Sequence, residues 1–228
     1  MDLPQTVEGR FVRRENRFRV TVEIGGRVES AHLPNSGRLG ELLVPGRRCY
    51  LVPRPSPGRR TPYDLLLVSH AGTLVSVDAR LPNPLFAEAV AEGRLAAFAG
   101  VRVIEREVRR GGSRIDFRLE GAWGACWVEV KSVTLVEDGV ALFPDAPTGR
   151  GRRHLEELSA LVREGQRAAV VFVVQRSDAE AFAPNSRADP AFAHMLAEAQ
   201  ALGVEVYAYR CRVTRRALTL LDEVPVLT

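Results

Sequence analysis

Asp116, Glu129 and Lys131 have residue types and a spacing that could support chemistry on a phosphodiester. Side chains alternate between the two faces of a strand. Asp116 therefore shares the polar face of one predicted strand, and Glu129 and Lys131 share the polar face of the next. Proteins commonly hold Mg²⁺ with one or two carboxylates, and water and phosphate oxygens complete the shell. The spacing predicts a Mg²⁺ or Mn²⁺ site made by Asp116, Glu129 and the Val130 carbonyl, beside a lysine that can orient water.

The pairing of these two strands is expected to bring the carboxylates together. A four-residue loop between Glu120 and Ala125 places Asp116 directly opposite Glu129, with Cβ atoms about 4.5–5.5 Å apart. A slip of one residue would bury the charges. The predicted register also pairs apolar residues with one another: Ile115 with Val130, Phe117 with Val128, and Leu119 with Cys126. Opposed carboxylates repel, so either Arg114, Arg118 and Lys131 or a divalent cation must balance them.

Lys131 is the only lysine among the 32 basic side chains. The codon usage of the source genome explains a general excess of arginine. An ammonium can lose its proton and acts as a compact charge, whereas a guanidinium does neither, so this position is a candidate for catalysis. Glu88 is a further candidate metal ligand because it shares a helical stripe with Leu85 and Leu95. The alternative for Glu88 is a solvated glutamate.

Composition excludes several classes of protein. The chain has 228 residues, of which 46% are hydrophobic and 26% charged, enough for one large core or two small domains. No run approaches the roughly 18 apolar residues of a membrane span. The first residues do not have the pattern of a secretory signal. Cys49, Cys126 and Cys211 lie far apart, so we expect neither a disulfide framework nor a structural zinc site, and a reducing cytoplasm fits best.

The charge is concentrated in the first third of the chain. Residues 1–80 carry a net charge of +5, and residues 81–228 carry −1. A basic module suggests an anionic partner, and we predict DNA; a solvated basic face is the alternative.

Further candidate contacts lie in the second part of the chain. Arginines at a helix N-terminus suit a bound phosphate, and residues after a buried strand often contact ligands. The candidate DNA contacts are Arg13, Arg14, Arg17, Asn35, Arg38, Arg59, Arg60, Arg150, Arg152 and Gln175.

The first eighty residues have the pattern of a small barrel. Five or six short alternating segments follow one another, and Gly25-Gly26 forms a tight turn between two of them. This rhythm predicts an OB-like barrel, which often binds nucleic acids. The proline- and arginine-rich stretch Pro53–Pro62 predicts a mobile basic loop.

Residues 81–228 predict an α/β domain with a mixed sheet flanked by helices. Asn83 is the expected N-cap of a first helix that extends to about Phe98. Ala168–Val174 is continuously apolar and predicts a strand buried on both faces. The other predicted elements are strands Val101–Val108, Arg114–Leu119, Ala125–Lys131 and Val204–Tyr209, a turn at Gly111-Gly112, a helix His154–Arg163, and a helix capped by Asp189 that ends at Leu202.

Several longer motifs resemble the sugar fermentation stimulation protein family over nearly the whole chain. Ser36 stands where that family usually has Thr, and Pro147 where Val is common. The matching stretches are 32–37, 81–83, 113–117, 128–135, 143–148, 150–151, 154–155, 174–176 and 203–205.

This resemblance implies an N-terminal OB-like domain and a C-terminal domain similar to PD-(D/E)xK nucleases. It also implies DNA binding, which is the family's reported property. It assigns nuclease roles to Asp116, Glu129 and Lys131 and extends a metal-binding role to Glu88.

Three functions are compatible with these features. The first is a DNA-binding protein with a Mg²⁺- or Mn²⁺-dependent phosphodiesterase centre. The second is a non-catalytic DNA-binding regulator of sugar metabolism genes that uses a nuclease-like scaffold. The third, a nucleotide or RNA binder, fits the barrel but explains the carboxylate–lysine set poorly. An intact Asp, Glu and Lys set favours the enzyme, because a decayed site should have lost a member. The sequence leaves the form of DNA and the oligomeric state open.

Overall fold

A computed structural model of the protein describes residues 1–54, 56–110 and 113–227. Its helices are α1 (Pro82–Ala91), α2 (Gly149–Arg163) and α3 (Pro190–Leu202), with a short 3-10 turn at Ala96–Phe98. Its strands are β1 (Val7–Asn16), β2 (Arg19–Ile24), β3 (Arg27–His32), β4 (Arg48–Pro53), β5 (Tyr63–His70), β6 (Thr73–Ser76), β7 (Val101–Arg110), β8 (Ser113–Gly121), β9 (Gly124–Val133), β10 (Leu135–Glu137), β11 (Val140–Phe143), β12 (Arg167–Val174), β13 (Ala181–Pro184), β14 (Glu205–Val213) and β15 (Leu218–Glu223).

The N-terminal strands form the predicted barrel. The sheet runs β3-β2-β1-β4-β5-β6, and a parallel pairing of β3 with β5 closes five strands into a barrel. Gly25 and Gly26, with φ of +57° and +78°, form the tight turn between β2 and β3. Alternate side chains such as Phe11 and Val20 point inward and build a separate apolar core. The prediction of an OB-like first module is confirmed.

The C-terminal part is a mixed six-stranded sheet flanked by helices, as predicted. The strand order is β15-β14-β12-β9-β8-β7, and β12 pairs parallel with both β9 and β14. Side chains of β12 alternate between two buried cores: Val171 packs on the side of α1, and Phe172 packs on the side of α2 and α3. The strand is therefore buried on both faces, as its continuous apolar sequence predicts.

The boundaries of two predicted helices need correction. Helix α1 begins at Pro82, so Asn83 lies inside the helix and is not its cap. The helix ends at Ala91 because Gly93 adopts the left-handed conformation, with φ of +67°. Helix α2 begins five residues earlier than predicted, where the Thr148 hydroxyl accepts a hydrogen bond from the backbone N–H of Gly151. This cap offsets the low helix propensity of the glycines in the first turn.

Some strands are absent from the sequence prediction. Strands β10, β11 and β13 form a small separate sheet, and β15 pairs antiparallel with β14 at the edge of the large sheet. The short strands were missed because three or four residues show too little alternation to indicate a strand. The predicted turn at Gly111-Gly112 lies outside the described residues. Among the residues described, no helix is long and apolar enough to cross a membrane.

Gln175 joins the barrel to the large sheet. Its backbone carbonyl accepts from the N–H of Ser76 on β6 at 3.0 Å, and its side-chain Oε1 accepts from the Ser76 hydroxyl at 2.9 Å. Its Nε2 donates to the Ser132 hydroxyl on β9 at 2.9 Å. The side chain is fully buried. Gln175 is thus part of the connection between the two modules, and its predicted contact with DNA is incompatible with this burial.

The Asp64 carboxylate on β5 binds arginines of the predicted basic loop (residues 53–62) and Arg80, which begins the connection to the second domain. The carboxylate is buried and forms an ion pair with Arg59, while Arg54 and Arg80 each approach within 3.4 Å. Burial alone would raise the pKa of Asp64, but the hydrogen bonds and charges of Arg59 and Arg80 outweigh it and lower this pKa. The guanidinium of Arg59 therefore contacts Asp64 and does not extend into solvent.

We expect Asp64→Asn to lower the free energy of unfolding by about 1–3 kcal/mol at pH 7, because charged hydrogen bonds are lost. A folded-state pKa below the unfolded value stabilises the protein above about pH 4, and this stabilisation is lost as pH falls through the folded pKa. Urea unfolding from pH 7 to pH 2 should therefore show the two proteins converging in acid. Asp222→Asn, at an 80% exposed side chain, is the matched control; a difference independent of pH would contradict the assignment.

Candidate active site

The candidate site lies where the β8–β9 ladder is interrupted. From Gly121↔Gly124 to Phe117↔Val128 the strands pair in the predicted register. Beyond that point, Oδ2 of Asp116 accepts the backbone N–H of Val130 at 2.9 Å. A side-chain carboxylate therefore takes the place of a backbone carbonyl, and the strands separate between Asp116 and Glu129.

Strand β8 changes face at Asp116. Ile115 packs in the core on the α2 side, whereas Phe117 and Leu119 pack on the α1 side. Glu107, on the partner strand β7, has a φ of +57° and lies between two regular pairs of that ladder. A left-handed residue rotates the strand and is strained for any side chain except glycine. The prediction of one shared apolar face for Ile115, Phe117 and Leu119 is therefore wrong, because simple alternation does not account for this irregularity.

Glu129 lies in a compact buried network with Lys131 and His154. Oε1 of Glu129 accepts from Nζ of Lys131 at 2.6 Å and contacts Nδ1 of His154 directly. Nε of Arg150 donates to Nε2 of His154 at 3.3 Å, so the proton of the imidazole belongs on Nδ1, where it faces Glu129. The side chains of Glu129, Lys131 and His154 are only 4%, 11% and 10% exposed.

The protein environment shifts the pKa values of the two carboxyl groups in opposite directions. Burial, followed by the negative charge of Glu129, raises the pKa of Asp116 despite its hydrogen bond from Val130. Burial would also raise the pKa of Glu129, but the hydrogen bond from His154 and the charge of Lys131 outweigh it and lower this pKa. The charged form of Glu129 is thus favoured by its partners, whereas burial and the neighbouring carboxylate disfavour the charged form of Asp116.

A polar cavity of about 410 Å³, here called the carboxylate cavity, opens at this cluster. Asn83 of α1 and Glu107 of β7 line it together with Asp116, Glu129 and Lys131. The Asn83 side chain also lies close enough to Asp116 to lower its pKa, against the net rise. The N–H and the C=O of one strand residue point toward the same neighbouring strand. The Val130 carbonyl therefore shares the opening with Asp116.

Glu88 is not part of the cluster. Its carboxylate accepts from the α-amino group of Met1 at 2.7 Å and lies 3.5 Å from Arg94. Helix α1 presents Asn83, not Glu88, to Asp116, so the geometry does not support the predicted metal-binding role of Glu88. The helical stripe that Glu88 shares with Leu85 faces the protein. The part that Glu88 contacts, at Met1 and Arg94, is however not the part that holds Asp116.

The donor set fits an oxygen-preferring divalent cation. In the described part of the chain, no three or more His, Cys, Asp or Glu side chains are grouped as metal ligands. Two carboxylates and one carbonyl form an incomplete oxygen shell, and Mg²⁺ completes such a shell with water and phosphate oxygens. Burial and the charge of Glu129 raise the pKa of Asp116. A cation bound between the two carboxylates would offset their repulsion.

The barrel arginines predicted to contact DNA divide into two groups. Arg14 donates to the carbonyls of Gly37 and Arg38 and so holds a loop, and Arg13 pairs with Glu15. Asn35 is buried and hydrogen-bonds within the same region, to Gly37 N–H and the Val77 carbonyl. The second group is exposed, and its guanidinium groups have no hydrogen-bonded or ion-paired partner among the described residues: Arg17, Arg38 and Arg60.

The predicted contacts at the start of α2 also differ from each other. Arg150 is exposed and lines the carboxylate cavity. Arg152 instead forms an ion pair with Asp189, the N-cap of α3, at 2.6 Å. Of these two arginines, Arg150 is therefore the one placed to meet a phosphate beside the carboxylates.

His154, Asn83 and Glu107 are site residues that the sequence analysis did not identify. The helical spacing of α2 contained a usable signal, because His154 precedes Leu155 and lies four positions before Leu158, on the buried side of the helix. Glu107 could not be identified, because its position depends on a left-handed residue inside a strand.

Comparisons with known proteins agree with this architecture. The family model "Sugar fermentation stimulation protein RE domain" matches residues 80–217, and "SfsA N-terminal OB domain" matches residues 12–77. A sugar fermentation stimulation protein homolog of Chloroflexus aurantiacus is 51% identical over 96% of this chain and 85% of its own length. The homolog of Moorella thermoacetica is 49% identical over 99% of both chains.

One solved structure is similar over the full length. It is the Pyrococcus furiosus SfsA in complex with Ca²⁺, with a TM-score of 0.92, 36% sequence identity, and coverage of 100% of this chain and 98% of that one. Both modules of this chain are thus covered by the two family models, by relatives of about 50% sequence identity and by a solved structure. The chain belongs to the sugar fermentation stimulation protein family.

Proposed function

We propose that the protein is a cytoplasmic DNA-binding phosphodiesterase that requires Mg²⁺ or Mn²⁺, with a barrel domain of residues 1–80 and a nuclease-like domain of residues 81–228. One observation carries this proposal. Asp116 and Glu129 converge where their strands separate, beside the only lysine of the chain. Burying charged groups costs desolvation free energy, and a charge pair with a purely structural role at the surface would avoid that cost.

The metal ligands in this proposal are Asp116, Glu129 and the Val130 carbonyl. A divalent cation held there would polarise a phosphate oxygen and lower the pKa of a bound water. The position of Asp116 beside Glu129 supports the proposal, because a cation would offset the repulsion that helps to raise the pKa of Asp116. The related structure of Pyrococcus furiosus SfsA contains Ca²⁺, which prefers the same oxygen ligands.

Lys131 is the proposed catalytic cation. Its Nζ donates to Oε1 of Glu129 at 2.6 Å, and this hydrogen bond holds the ammonium at the cavity. An ammonium held in this way can orient a water molecule toward phosphorus and stabilise the charge that develops on the phosphate oxygens. His154 holds the Glu129 carboxylate, and Arg150 in turn holds His154 while its exposed guanidinium remains near the cavity.

The same proposal assigns DNA binding to exposed arginines of the barrel and to Arg150. The concentration of positive charge in residues 1–80 supports this assignment. Cys49, Cys126 and Cys211 are buried and free, which suits the reducing cytoplasm.

We expect Ca²⁺ or Mn²⁺ to raise the melting temperature of the protein by about 5–10 °C at a hundred times the dissociation constant. Asp116→Asn should abolish this increment. Without metal, the variant should melt at the same temperature or higher, because the amide keeps the Val130 hydrogen bond and removes an unfavourable buried charge. Thermal scans with each metal and with EDTA test this, and Asp222→Asn is the control. A metal-induced shift that persists in Asp116→Asn would place the cation elsewhere.

Cleavage of DNA tests the proposed activity itself. We expect the wild type to cleave at least one of single-stranded, duplex or branched DNA in Mg²⁺ or Mn²⁺. Lys131→Arg and Lys131→Ala should each lose on the order of 100-fold or more in rate, because the forked guanidinium cannot occupy the position of the ammonium. Both should retain DNA affinity within a few-fold. If the wild type cleaves none of these forms, the protein is a non-catalytic DNA-binding regulator.

DNA binding should depend strongly on salt. Replacing Arg17, Arg38 and Arg60 together by Ala should reduce the slope of log affinity against log salt by about 2–3, since each phosphate contact contributes about 0.7–0.9. Arg163→Ala, at the other end of α2 and about 20 Å from Arg150 along the helix, is the control. Fluorescence polarisation between 50 and about 300 mM salt measures the slope. An unchanged slope in the triple variant would remove the barrel from the DNA contact.

A further inference from the structure

A second cavity lies directly beside the carboxylate cavity, on the seam between the barrel and the sheet. This seam cavity has a volume of about 420 Å³, within the range of small-molecule sites. Asn35, Ser36 and Gly37 of the barrel form one wall, and β9, β11 and the segment from Pro144 to Gly151 form the other. Lys131, Arg150 and Ala79 line both cavities, so the two spaces meet at the candidate catalytic lysine.

The lining of the seam cavity combines apolar and charged side chains. Leu142 and Phe143 of β11 are half-buried and contribute apolar side chains. Arg17 and Asp145 provide charged groups. Apolar side chains together with a few convergent polar groups are the usual lining of a small-molecule site.

Asp145 indicates which part of a ligand belongs in this space. Its Oδ2 accepts the backbone N–H of Leu39 at 3.2 Å, and Oδ1 has no hydrogen-bond partner among the described residues. A carboxylate repels a phosphate but can accept hydrogen bonds from the amino groups of nucleobases. The phosphate therefore belongs at the shared mouth with Lys131 and Arg150, and the uncharged base belongs beside Asp145 and Phe143.

We propose that the seam cavity takes one unstacked nucleotide of the DNA strand whose phosphate lies at Lys131. This inference rests on the proposed function and specifies its substrate: DNA that is single-stranded, or open at the site of reaction. A base stacked in a duplex cannot enter a recess of this kind, and extracting it costs unstacking and unpairing energy.

Blocking the seam cavity from its rim tests the proposal. Ser36 is exposed and lines the cavity, so Ser36→Trp should fill it from outside without disturbing a core. Ser186→Trp places the same side chain at another exposed serine, which does not line this cavity, and is the matched control. Melting temperatures establish that both variants fold. If Ser36→Trp does not fold, Pro147→Trp on the opposite rim repeats the test.

The measurement is binding of the full-length protein in Ca²⁺ to two labelled DNAs of the same sequence, a single strand and a blunt-ended duplex without unpaired nucleotides. We expect the wild type and Ser186→Trp to prefer the single strand at least ten-fold, and Ser36→Trp to lose most of this preference. Equal binding of both DNAs by the wild type, or an unchanged preference in Ser36→Trp, would overturn the cavity assignment and leave the phosphodiesterase untouched. A retained preference without any cleavage would instead overturn the activity alone.

Discussion

The hydrogen bond from the Val130 N–H to the Asp116 carboxylate is the interaction on which the site depends. A backbone amide in a sheet interior must find an acceptor. By supplying one from a side chain, Asp116 ends the β8–β9 ladder and keeps its own carboxylate next to Glu129. Glu107 lies on β7, the other neighbour of β8, and its left-handed, strained backbone interrupts the β7–β8 ladder at the same level. The sheet is therefore irregular where two carboxylates share one opening.

The two carboxylates have different supports, and this difference defines their roles. Glu129 lies among Lys131 and His154, which lower its pKa and hold its orientation. Asp116 is buried beside the charge of Glu129, and both effects raise its pKa despite the hydrogen bond from Val130 and the charge of Lys131. A pair of carboxyl groups whose pKa values are pushed apart is typical of functional sites. In the proposed metal site, Glu129 would be the rigidly oriented ligand, and Asp116 would gain most from the charge of the cation.

The fold class and the proximity of Asp116, Glu129 and Lys131 could be predicted from the sequence, but the exact shape of the site could not. Alternation located Asp116, Glu129 and Lys131 on adjacent strands, because these strands are regular up to Phe117. Periodicity failed at Ile115, where the backbone conformation overrides the alternation, and at Glu88, where a shared helical stripe does not fix the part of the sheet that is contacted. Gln175 was misassigned because sequence position alone cannot distinguish a ligand contact from a buried connection between domains.

The connection between the domains has consequences for the site as well as for stability. A Cβ at Gly37 would lie 2.5 Å from Oδ2 of Asp145, so the absence of a side chain lets the barrel loop approach the sheet closely. The Leu39–Asp145 hydrogen bond and the buried bonds of Gln175 hold the barrel in this position. Since the barrel forms one wall of the seam cavity while the carboxylates stand on the sheet, a small shift of the barrel would alter substrate access before it altered the chemical groups. In the proposed function, the sheet would therefore position the reactive groups, and the placement of the barrel would determine which form of nucleic acid reaches them.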